Sequence, residues 1–188
     1  MKWRALVSPD DGQWLERNLN GVLVMELIQV GVLISALLCS LVAGFVFCFA
    51  IVVMPGIRTL GFLDFLKSFK AMDGIIQNNQ PLFLLVWLGS ALALLASALL
   101  GIWRLEGLDL ALLVFACVIY LFGVHGPTIT INIPLNNRLQ SLDLDAATEV
   151  ELQATAEMFG SRWLRWNAIR TVMAMLTTVL LLVLLLRL

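Results

Sequence analysis

LFLLVWLGSALALLASALLGIWRLEGLDLALLVFACVIYLFGVHGPTI, Leu82 to Ile129, is two apolar runs with only Arg104-Leu105-Glu106-Gly107 between them. A helix needs roughly 20 apolar residues to cross a bilayer core, and each run has that length. So short a connection lays the two helices antiparallel, as a hairpin. Working outward, Val22–Val53 and Ala168–Leu186 supply two more apolar runs. The expected fold is therefore all-α: an integral membrane four-helix bundle with spans at Val22–Val53, Leu82–Trp103, Leu108–Ile129 and Ala168–Leu186.

Composition agrees. The chain is 61% hydrophobic and 13% charged, against about 45–50% apolar and about 25% charged for a soluble domain. Residues 1–20 (MKWRALVSPDDGQWLERNLN) read as a polar segment at the membrane surface, with Trp3 and Trp14 as interfacial anchors. Residues 21–188 read as one four-span domain. The first apolar run is far longer than the roughly 7–15 residues of a signal-peptide core, so it reads as a retained span. A net charge of −1 offers no basic field to nucleic acid, which is excluded as a partner. The expected surroundings are the lipid bilayer, with a lipophilic small molecule as the second partner, in a cell or inner membrane. Nothing in the sequence sets an oligomeric state.

The connections carry structure too. After the first span Met54-Pro55-Gly56 reads as a helix break, because proline lacks the amide hydrogen and glycine tolerates unusual dihedrals. Gly31 with Ser35, and Ser40 with Gly44, form two small-xxx-small contact faces. In the first connection Phe62, Phe65, Leu66, Phe69, Met72 and Ile76 recur at three- and four-residue steps, with Asp64, Lys67, Lys70 and Asp73 between them. That spacing predicts an amphipathic helix. In the third connection a helix is expected to start from a cap at Asp143 or Asp145. It would place Val150, Ala154 and Met158 inward and Glu149, Glu151 and Glu157 outward, then run on into the fourth span through Trp163 and Trp166. Counting basic residues on the two sides of the four spans leans toward cytoplasmic first and third connections, with both termini on the opposite face.

One region breaks the apolar pattern. His125, the single histidine, is followed by Pro127, Thr128, Asn132, Pro134, Asn136 and Asn137. His125, Thr128, Asn132 and Asn136 fall at helical steps and share one face. Two readings follow: a helix end in which the asparagines cap and His125 bonds a neighbouring helix, or a pocket in which His125 is a general base or ligand. Asn167 and Arg170, three apart in WNAIRT, face the same end of the bundle. Arg170 either snorkels to headgroups or pairs with an anion, a carboxylate such as Asp73 among them. The spans put Glu26 at the other face. The candidate catalytic residue is His125, and the candidate ligand-binding residues are Asn132, Asn136, Asn167 and Arg170. No metal site is expected: Cys39, Cys48 and Cys117 sit in apolar runs without ligand spacing, and no HExxH, P-loop or GxGxxG motif occurs. A single histidine does not provide bis-histidine haem ligation, and the residues specify no cofactor.

Met54-Pro55-Gly56, Asn79 with Pro81, IPLNNRL at Ile133–Leu139 and WNAIRT at Trp166–Thr171 follow one another in an order that resembles the anthrone-oxygenase-like family of small four-helix membrane proteins. The resemblance covers about residues 30–185. It implies a four-helix membrane fold, and for some fungal members an oxygenase activity that turns polyketide anthrones into anthraquinones without a well-defined cofactor. On that analogy His125 would take a proton from an activated phenol while Asn132, Asn136 and Arg170 steady the anion. The residues themselves favour a non-enzymatic binding or partner-stabilising module. The alternative is a membrane oxygenase or oxidoreductase acting on a lipophilic aromatic or quinone-like substrate. A cavity onto which His125 and the amides converge would separate the two.

Overall fold

The computed structural model describes residues 9–188, with side chains from Leu19 onward. The chain runs through α1 (Pro9–Cys48), α2 (Met54–Ile57), α3 (Phe62–Gln77), α4 (Pro81–Gly101), α5 (Gly107–Tyr120), α6 (Ile133–Gln140) and α7 (Glu149–Leu185), with no strand among the described residues. Four stretches are long and apolar enough to cross a membrane: Leu19–Ile57, Pro81–Gly101, Gly107–Gln140 and Glu149–Leu185. The protein is thus an all-α, multi-pass membrane bundle. Of the expected surface segment at residues 1–20, Trp3 and the Trp14 side chain lie outside what is described.

The four spans pack as a ring in which α1 touches α4 and α7, and α5 touches α7 and α4. Neighbours run antiparallel and come close where residues are small. A Cβ on Gly31 would lie 2.7 Å from Ser97 Oγ, and one on Gly123 would lie 2.7 Å from Met173 Cγ. Ser35 meets Ser97 at 3.3 Å on the same contact line. The second small pair does not join it: Gly44 is exposed and Ser40 Oγ donates to its own helix at Leu37 O. The step of five residues from Ser35 to Ser40 rotates that pair by roughly 140° around the helix, away from α4. Outside the ring, leucines such as Leu37, Leu85, Leu92 and Leu99 are exposed, as befits a lipid-facing wall. At one end Arg187 Nε donates to Asp109 Oδ1, and Gln29 Nε2 donates to Leu188 O at 2.7 Å, which sets the C-terminus beside the α4–α5 turn. All three cysteines are free thiols.

At the other end the helices are not regular. Pro55 does not break the first span. The helix continues through it to Ile57, and the chain turns only at residues 58–60. A π-turn at Phe49–Val53 precedes the proline, with Met54 N–H donating to Phe49 O. The same device recurs twice in the third span. Leu121–His125 ends two residues before Pro127, and Thr128–Asn132 ends two residues before Pro134. Proline removes one backbone donor and its ring crowds the carbonyl four residues back. Widening the preceding turn to five residues relieves that clash and keeps the chain helical. The third span therefore extends to Gln140, well past Ile129.

Beyond the spans, α7 is long enough to carry a head. Its 37 residues span roughly 55 Å, nearly twice the hydrocarbon thickness of about 30 Å. Phe65 and Phe69 of α3 pack against Phe159 and Trp163 of α7, with Phe69 edge-on to Phe159 at 4.7 Å. The amphipathic α3 covers the expected residues. Its Lys67 pairs with Asp145 and its Lys70 Nζ donates to Leu142 O at 2.7 Å. Two details of the third connection differ. The cap of α7 is Thr148, which forms a reciprocal capping box with Glu151, while Asp143 Oδ1 accepts from Asp145 N and Ala146 N in a local turn. The buried face of α7 is Leu152, Ala156, Phe159 and Trp163; Val150 is 76% exposed, and Ala154 and Met158 are exposed too. The stripe that turns toward α3 is the one carrying Phe159 and Trp163, whose rings meet Phe65 and Phe69. The three glutamates do point outward.

Candidate functional site

The irregular half of the bundle encloses a cavity of about 410 Å³. Each π-turn contributes to its wall: Phe49 from the first, His125 from the second, Thr128, Ile129 and Asn132 from the third. A wide turn rotates the residues after it and lifts backbone away from its neighbour, so helices that pack tightly below part here. Rings form much of the remaining wall. Phe83 stacks on Trp87 at 5.7 Å and 13°, Phe45 meets Phe83 at 5.4 Å, and Phe49 meets Trp163 at 5.7 Å. A mostly apolar, aromatic-lined space with few polar groups is the ordinary form of a small-molecule site.

His125, Thr128, Asn132 and Asn136 all line this cavity, as does Arg170 from α7. The His125 ring lies 5.0 Å from Trp87 and 5.1 Å, edge-on, from Tyr120, whose hydroxyl donates to Ser90 Oγ at 2.7 Å. Arg170 is held rather than snorkelling. Its Nη1 donates to Thr128 Oγ1 at 3.0 Å, its Nη2 to Asn167 Oδ1 at 2.8 Å, and its guanidinium carbon lies 5.5 Å from the Trp163 ring centre. Asn167, wholly buried and absent from the cavity wall, also donates from Nδ2 to Val46 O at 2.9 Å. Both ends of its amide are thus committed to fixing Arg170 against α1. Asn136 is committed as well. Its Oδ1 accepts from Trp163 Nε1 at 3.0 Å and its Nδ2 donates to Asp73 Oδ1 at 2.7 Å.

No hydrogen bond links His125, Asn132 or Asn136 directly to Asn167 or Arg170. Thr128 and Trp163 stand between them instead. What remains open is informative. Among the described residues four buried side-chain polar atoms have no partner: His125 Nε2, Asn132 Nδ2, Asn132 Oδ1 and Arg170 Nε. All four belong to residues of this one cavity. Leaving a buried polar group unpaired costs roughly 1–3 kcal/mol, and natural proteins hold few such groups. Here they belong to three residues that line a space large enough for a ligand. Two offer N–H donors, one a carbonyl acceptor, and imidazole Nε2 either function by tautomer. No three histidine, cysteine, aspartate or glutamate side chains gather as metal ligands among the described residues.

Asp73 is presented by the sequence only as an ion-pair partner for Arg170, not as a site residue. It is 5% exposed, lines the cavity, and is bonded by amides rather than by the guanidinium. The available signal was its spacing: Phe65, Phe69 and Asp73 stand four apart, on the same stripe of α3. Glu26, by contrast, is exposed on α1.

A family model described as anthrone oxygenase matches residues 74–180. That range holds His125, Asn132, Asn136, Asn167 and Arg170 and begins one residue after Asp73, while the first span lies outside it. No curated protein and no solved structure matches the chain. The match takes in more than half of the sequence and every sequence-derived site residue, and by it the chain belongs to the anthrone oxygenase family.

Proposed function

We propose that this protein is a membrane oxygenase whose substrate is a lipophilic, enolisable hydroxyaromatic ketone of the anthrone type, taken up from the bilayer of a cell or inner membrane. The observation that carries this reading is the set of four unpaired buried polar atoms on one aromatic-walled cavity. The family match supports the same class of chemistry. A module that only stabilises a partner has no use for unpaired donors around an internal space, and would gain by filling it.

The chemistry needs a base, an anion stabiliser and dioxygen. With Nδ1 protonated, His125 Nε2 presents a lone pair and takes the proton from the acidic ring carbon opposite the ketone. The resulting enolate oxygen accepts from Arg170 Nε and Asn132 Nδ2, donors shielded from water, where such stabilisation is worth most. Thr128 and Asn167 hold the guanidinium in that orientation. The carbanionic carbon transfers its electron pair to dioxygen and forms a carbon–oxygen bond, giving a peroxide anion. The imidazolium returns its proton to make the hydroperoxide, which loses water and leaves a second carbonyl. In sum, ketone and dioxygen become quinone and water, and the substrate supplies all the electrons.

The test is oxygen uptake and quinone formation by the detergent-purified protein given an anthrone, measured above the uncatalysed autoxidation. His125→Gln should lower the protein-dependent rate by about 10²–10⁴-fold, the usual worth of a positioned base, with the thermal midpoint unchanged. Tight binding of an anthraquinone without any rate above background would instead support the non-enzymatic binding module and overturn the oxygenase reading.

A further inference from the structure

Asp73 is a buried carboxylate on the cavity wall for which the proposed chemistry has no use. Its partners are all neutral amides that donate. Asn136 Nδ2 reaches Oδ1 at 2.7 Å, while Gln77 Nε2 and Gln140 Nε2 reach Oδ2 at 2.7 and 2.9 Å. The lysines of its own helix are engaged elsewhere, Lys67 with Asp145 and Lys70 with Leu142 O. A carboxylate has about four acceptor positions. Oδ2 has both of its positions filled, whereas Oδ1 has one filled and one free. The amides hold the group rigid, and rigidity is what makes a polar recognition site selective.

Position adds direction. Asp73 is bonded to Asn136, whereas Arg170 is bonded to Thr128, eight residues earlier in the third span, or at most roughly 12 Å along a helix. The cavity therefore has two polar poles with the Trp163 ring between them. At one, Arg170 Nε is an unpaired donor; at the other, Asp73 Oδ1 is an acceptor. We propose that Asp73 is a specificity-determining residue, its Oδ1 accepting a hydrogen bond from a phenolic hydroxyl at the end of the ligand remote from Arg170. This rests on the reading that the cavity takes a planar hydroxyaromatic molecule. It adds that the molecule carries a hydroxyl on its far ring, and that the protein selects for it.

Binding of inert probes tests this apart from turnover, read by quenching of the full-length protein's tryptophan fluorescence, since Trp87 and Trp163 line the cavity. The probes are anthraquinone, an anthraquinone with hydroxyls on its outer ring positions away from the carbonyls, and the methyl ether of the latter. The wild-type protein should bind the hydroxylated probe about 10- to 100-fold more tightly than either of the others, as expected of a hydrogen bond to a charged acceptor. In Asp73→Asn that preference should fall to about threefold or less, with anthraquinone affinity unchanged. The methyl ether comparison needs no variant, so it decides the matter even if Asp73→Asn does not fold. Equal affinity of wild type for all three probes would overturn the role of Asp73 and leave the cavity's function standing. Equal loss of all probes in a folded Asp73→Asn would show a merely structural carboxylate. Failure of wild type to bind any probe would overturn this proposal and the parent reading together.

Discussion

The two halves of the bundle are built from the same four helices and end in opposite states. Toward the termini, Ile28, Val32, Leu94, Leu113, Leu181 and Leu184 have no exposed surface, the helices are regular, and Gly31 and Ser97 let α1 and α4 approach closely. Toward the connections, three π-turns and three prolines interrupt the winding, and the space between helices becomes a cavity bearing unpaired polar atoms. The difference lies in the backbone more than in side-chain volume. Large rings are plentiful in the open half, yet they line the space instead of filling it. In this protein a site is made by spoiling helix regularity locally, while the closed half and the aromatic head of α3 and α7 hold the open half between them.

Truncation in the closed half breaks this contrast most directly. Leu113→Ala removes a side chain with no exposed surface that also contacts Gly101. Lipid is as apolar as leucine, so the transfer part of the usual penalty is absent in a bilayer and the lost packing contacts remain. The expected cost is near the low end for such changes, about 2 kcal/mol, read as a shift of the unfolding midpoint in mixed micelles. A loss below about 0.5 kcal/mol would mean that the closed half is not the stabilising one.

The open half should respond in the opposite sense. Asn132→Leu replaces an amide whose nitrogen and oxygen are both unpaired by an apolar group of similar size. Removing that unsatisfied amide should raise stability by roughly 1–3 kcal/mol, while quinone affinity falls by at least tenfold. A destabilised Asn132→Leu that still binds would place Asn132 among the folding residues and remove a donor from the proposed site.

Much of this contrast was legible in the sequence. Apolar run length set the four spans, and the three-and-four spacing of Phe62 to Ile76 set α3. His125, Asn132, Asn136 and Arg170 stood out because polar groups are costly in an apolar span. The misreadings share one origin, which is that helix register is decided by local backbone choices. Pro55 reads as a stop, because no composition rule distinguishes a broken helix from one relaxed by a π-turn. The start of α7 was misplaced because Asp143, a good capping residue, instead stabilises a turn five residues before Thr148. Asp73 follows two lysines on the same helix and reads as part of their solvated face, and only the amides that fold around it offset the cost of its burial.

The smallest effect separates the head from the site it covers. Lys67 pairs with Asp145 across the join between α3 and the connection leading to α7, yet their side chains are 45% and 76% exposed. In water such a pair gains little beyond the entropy of holding two side chains together, and salt screens it further. Lys67→Ala should therefore cost no more than about 1 kcal/mol and leave quinone affinity unchanged. The docking of α3 rests on Phe65 and Phe69 against Phe159 and Trp163, and that aromatic contact also carries Asp73 to the cavity wall. If Lys67→Ala weakened quinone binding severalfold, or if raised salt did so in the wild type, then ionic contact rather than ring packing would be positioning the helix. Unchanged binding in both would assign the placement of Asp73 to the rings alone.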